Sequence, residues 1–74
     1  MSTFAAILLQ FPEDKEVILR QIKENEEFKN ICSDYELCIG MLKALEKETE
    51  LRHSKLEEYI QIKIELEQEV LKYL

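Results

Sequence analysis

Apolar residues recur along this chain at alternating spacings of three and four, in two runs of the same rhythm. Phe28, Ile31, Tyr35, Cys38, Leu42 and Leu45 make the first run, and Tyr59, Ile62, Leu66, Val70 and Tyr73 the second. At 3.6 residues per turn, each set falls on one face of a helix. Between Glu46 and Lys55 the rhythm lapses apart from Leu51, and that stretch is long enough to fold one face onto the other. The pattern predicts an all-α fold built on an antiparallel, coiled-coil-like helical hairpin, with these residues as its core. No Gly or Pro marks the bend. One uninterrupted helix is the competing pattern, but such a rod would need a partner along its full length.

The remaining elements follow from breakers and caps. Residues 3 to 10 predict one or two turns of helix, with Ser2 or Thr3 as cap. Phe11 precedes Pro12 and is biased away from helical backbone, so a boundary is expected there. Pro12 suits the first position of a second helix, and Glu13, Asp14 and Glu16 place negative charge at the favourable end of its dipole. Ile18 and Ile22 give that helix an apolar edge. Their register does not run into Phe28, and Asn25 is a good N-cap, so residues 12–47 admit one bent helix or two. Ser54 and Glu57 form a capping box that predicts a last helix from Lys55, within a segment 54–74. The chain is read as a single domain, 1–74, with 1–11 as a short extra N-terminal helix. Gly40 lies inside the surest helix, at a cost of about 1 kcal/mol relative to Ala.

A second apolar line changes the picture. Leu56, Ile60, Ile64, Leu71 and Leu74 run beside the first line of the last helix, with Lys63 and Glu67 as a polar seam between them. Leu37 and Met41 occupy the back of the preceding helix. The apolar arc of the last helix is then about 200° wide, more than the ~100° one neighbour requires. Leu37, Met41, Ile60, Ile64 and Leu71 are therefore expected to form an association face, and two hairpins would pair into a helical bundle.

Length and composition sharpen the need for association. The chain has 74 residues, with one Gly, one Pro and no Trp. A core this small rarely supplies more than about 3–5 kcal/mol. Cys32 and Cys38 are six apart on a helix, about 9 Å along its axis, too far for a disulfide. Cys38 is expected on the main stripe and Cys32 at its edge. His53 is the only histidine and no Cys-x-x-Cys pair exists, so no metal or cofactor is expected. The net charge of −6 argues against nucleic acid. The apolar run Phe4 to Leu9 is too short to span a membrane and follows no Lys or Arg, which argues against a secretory signal. Two unpaired cysteines point to the cytoplasm.

No constellation carries chemistry. The carboxylates fall mostly on solvent arcs, and paired catalytic acids need a desolvated pocket that a two-helix hairpin lacks. His53 is expected in the exposed bend. No Ser/His/Asp arrangement or phosphate loop exists, so the chain is not expected to be an enzyme or to hold a small-molecule substrate.

Phe11-Pro12-Glu13, the Asn25…Phe28 pair and the run from Phe28 to Glu46 resemble the YdcH-like family of small bacterial proteins. So does Ile64-x-Leu66-x-x-Glu69-Val70, and the likeness spans residues 11 to 74. The resemblance implies a self-associating antiparallel hairpin of unknown function, with Phe28, Tyr35 and Leu42 in its core and no catalytic residue. This chain departs from the family in lacking the proline that usually follows the Asn, and in being Glu-rich where the family's second helix is Lys-rich. Its apolar first ten residues are extra.

The expected function is a non-catalytic protein–protein interaction or assembly module, a homo-oligomer (a dimer first) or half of a complex with a helical protein. A secretion-type hairpin chaperone covering a partner's apolar helix is the alternative. An acidic mimic of nucleic acid is a further one, and scattered lysines argue against it.

Overall fold

The computed structural model describes residues 4–47 and 53–74, the side chains of 53 and 54 excepted. It consists of four helices packed together: α1 (Ala5–Gln10), α2 (Lys15–Glu24), α3 (Glu26–Glu46) and α4 (His53–Leu71). A 3₁₀ turn, Pro12–Asp14, joins α1 to α2, and no strand occurs among the described residues.

The breaks have local causes. Phe11 leaves helical geometry at φ −126° and ψ 65°, yet its N–H still closes α1 on the Ile7 carbonyl at 3.1 Å. Pro12 then opens the 3₁₀ turn, its fixed φ suiting a first position where no N–H is required. Asn25 serves two helices at once. Its backbone is extended (φ −128°, ψ 106°), and its N–H ends α2 on the Gln21 carbonyl at 2.8 Å. Its side-chain oxygen accepts from the N–H groups of Glu27 at 3.0 Å and Phe28 at 3.3 Å, capping α3. The stretch 12–47 is thus two α-helices hinged on one residue. Gly40 sits mid-helix, and a Cβ there would meet nothing within 4 Å, so packing does not require a glycine.

One buried cluster takes a residue or more from every helix. Ile7 of α1, Ile18 of α2, Phe28, Cys32 and Tyr35 of α3, and Val70 of α4 meet in it. Tyr73 leans on Phe28 with ring centroids 5.1 Å apart and planes tilted by 54°. Such a pair contributes about 0.5–1.5 kcal/mol beyond its buried area. Gln21 donates through Nε2 to the Tyr73 carbonyl at 3.2 Å, tying the C-terminal turn to α2.

Two expectations need correction here. Cys32 is fully buried and not at the edge of the stripe, because α1 and α2 cover the flank of α3 on which it lies. Ser54 and His53 belong to α4 itself, so the helix begins before Lys55 and His53 is not in a bend. The capping-box contact of Ser54, the Ser2 and Thr3 caps and the central bend, 48–52, lie outside the described residues.

Candidate interaction surfaces

α3 is held on one flank by α1, through a contact no local pattern announces. Phe4 occupies the N-cap position of α1 and has no side-chain oxygen to offer. Glu36, a turn and a half along α3 from Cys32's neighbour Ile31, supplies both: its Oε1 accepts from Ala6 N–H at 3.1 Å and its Oε2 from Ile7 N–H at 2.9 Å. A carboxylate at a helix start satisfies orphan donors and meets the positive end of the dipole. The capping residue therefore comes from a different helix, some thirty positions away. Local capping rules search only adjacent residues, which is why sequence reading missed Glu36.

The other flank of α3 faces α4. Tyr35 donates its hydroxyl to Glu67 Oε2 at 2.6 Å, and Lys63 Nζ meets the same oxygen at 2.6 Å. Cys38 Sγ donates to the Tyr59 carbonyl at 3.2 Å. Burial raises the Tyr35 hydroxyl well above its ordinary pKa, and its bond to the Glu67 carboxylate adds to the rise. Burial pushes the Cys32 thiol up to about 11, with the Glu36 carboxylate contributing. The Cys38 thiol is also raised by burial, against the opposing charge of Lys63. Both thiols are free and buried. Held protonated at neutral pH, they lack the thiolate that nucleophilic chemistry requires.

The residues of the two stripes fare unequally. Phe28, Tyr35, Cys38, Leu42 and Val70 are buried, and Ile31, Leu45, Tyr59, Leu66 and Tyr73 are half-buried. Ile62 is 41% exposed and does not belong to the core. It sits on the shoulder of α4, in a groove that α4 forms with Leu37, Cys38 and Met41 of α3. The five residues expected to form one association face are all exposed, but they divide between two places. Leu37 and Met41 line a groove with Cys38, Tyr59, Ile62 and Leu66. Ile60, Ile64 and Leu71 do not line it. At 100° per residue, Ile60 lies about 160° around α4 from Ile62, so the two sets occupy opposite flanks of that helix. On the Ile60 flank, Lys63 and the exposed Leu9 of α1 line a second groove with Ile39 and Gly40.

Among the described residues no group of His, Cys, Asp and Glu side chains is placed to hold a metal. No helix among them is long and apolar enough to cross a membrane. No protein-family model matches the chain, and no curated protein or solved structure shows significant similarity to it.

Proposed function

We propose that this chain is a non-catalytic helical assembly module that pairs with a second copy of itself. In this reading α3 and α4 act as an antiparallel hairpin, and two hairpins meet along the outer flank of α4. One observation carries the proposal. Ile60, Ile64 and Leu71 are 42, 41 and 56% exposed, and they share one narrow arc of a helix that buries little else. Apolar area left in water forfeits about 25 cal/mol per Å², which a small core can hardly spare. The Lys63–Glu67 ion pair, 2.6 Å long and partly buried, runs beside that arc. It carries both signs of charge, as a surface that meets its own copy across a two-fold axis should. Kinship with the YdcH-like proteins belongs to the same proposal, and Phe28, Tyr35 and Leu42, the core positions it would imply, are buried.

Light scattering at micromolar concentration is expected to give a dimer mass. The Ile60→Glu/Ile64→Glu double variant should reduce that mass to a monomer's while keeping most of its helicity. A wild-type chain that stays monomeric across the accessible concentrations refutes the reading.

A further inference from the structure

The groove on the opposite flank of α4 has an apolar floor and an asymmetric rim. Leu37 and Met41 form its α3 wall, 70 and 43% exposed, and Tyr59, Ile62 and Leu66 its α4 wall. The α4 rim is acidic. Glu58, Glu65 and Glu69 stand at −4, +3 and +7 from Ile62, along the same helical line, and all three are exposed. Asp34 adds a carboxylate from α3. Lys55 stands at −7 on that line, Lys72 is engaged with Glu69 at 3.1 Å, and Lys63, whose charge reaches Cys38, is paired with Glu67 at 2.6 Å.

We propose that this groove receives an amphipathic helix from another protein, one whose apolar face is bordered by lysine or arginine. Leu37, Met41 and Ile62 supply the apolar contact, in the manner of a helix laid into a hydrophobic groove. The carboxylates select the partner by charge, since potentials across an interface must complement each other. A second copy is the wrong occupant. Its own groove would bring Asp34, Glu58, Glu65 and Glu69 against the same residues, and like charges in register repel. This groove is thus separate from the flank proposed for self-pairing, and each can fail without the other.

The test uses a synthetic amphipathic helix of about 18 residues, roughly five turns, with leucine on one face and lysine flanking it. Two controls accompany it: the same peptide with glutamate for lysine, and a scrambled peptide of identical composition. Binding is read by fluorescence anisotropy of the labelled peptide and by amide shifts of the full chain. The lysine helix should bind at least about tenfold more tightly than either control, weaken with added salt, and shift the amides of Met41 and Ile62. Leu37→Gln/Ile62→Gln changes exposed side chains and should weaken binding at least about tenfold with the melting temperature nearly unchanged. Ile60→Gln/Ile64→Gln should leave peptide affinity as it was. Equal binding of the scrambled peptide, or equal affinity of the groove variant, would reduce the effect to charge alone and overturn the proposal. So would absence of binding. If Leu37→Gln/Ile62→Gln instead lowers the mass of the free protein, a second copy fills the groove and the proposal is wrong.

Discussion

α3 buries Phe28, Cys32, Tyr35, Cys38 and Leu42, whereas among the described side chains α4 buries Val70 alone. The two helices carry the same apolar rhythm and nearly the same length. What separates them is the number of neighbours. α3 has α1 and α2 on one flank and α4 on the other, while α4 leans chiefly on α3. A stripe is buried most completely where a second element closes over its shoulder. Phe28 and Ile62 show this: both lie on predicted stripes, but Phe28 meets Ile7 of α1 and Ile18 of α2 and is fully buried, whereas Ile62 is 41% exposed.

The comparison breaks most directly at its extremes. Phe28→Ala removes a fully buried ring and should cost about 3–5 kcal/mol, which matches the stability of a core this size and leaves the chain unfolded. Ile62→Ala, at an equivalent stripe position on α4, should cost about 1 kcal/mol or less. Circular dichroism in water reads the first as loss of helicity, and urea unfolding against the wild type reads the second. Equal losses would mean that α4 is as deeply packed as α3.

Raising the pH tests the buried side of α3. The Cys32 thiol moves from 9.0 to about 11 on folding. Below pH 9 it is neutral in both states and has no effect. Between pH 9 and 11 the unfolded chain ionises while the fold keeps its proton, so stability falls as pH rises. At 1.36 kcal/mol per unit the loss approaches roughly 2–3 kcal/mol, and the raised Tyr35 hydroxyl acts in the same direction at the upper end. Thermal melts from pH 8 to 11 should show the decline. Cys32→Ala should flatten it, and an unchanged slope in that variant would remove Cys32 as its source.

A smaller and more local effect concerns what makes α3 central. Glu36→Ala removes both acceptors at the start of α1 and should cost roughly 1–2 kcal/mol. Its signature is local: faster hydrogen exchange at the amides of Ala6 and Ile7 than at those of α4. A uniform change across all helices would show that Glu36 does not specifically anchor α1.

Much of the architecture is written locally. The all-helical class, the break at Phe11-Pro12 and the role of Asn25 as a cap each follow from a residue and its immediate neighbours, because backbone hydrogen bonds and φ restrictions act over one turn. The phase of each stripe is equally legible, since 3.6 residues per turn fixes which side chains share a face. Periodicity alone could not assign Ile62 to the rim and Cys32 to the core, nor divide Leu37 and Met41 from Ile60, Ile64 and Leu71. Those outcomes depend on how α4 docks on α3 and on where α1 and α2 settle, and α1 settles on a carboxylate of α3 some thirty residues downstream. A helix's sequence determines which face it offers. How many neighbours that face meets is a property of the assembled fold, because burial is a non-local quantity that only packed elements possess.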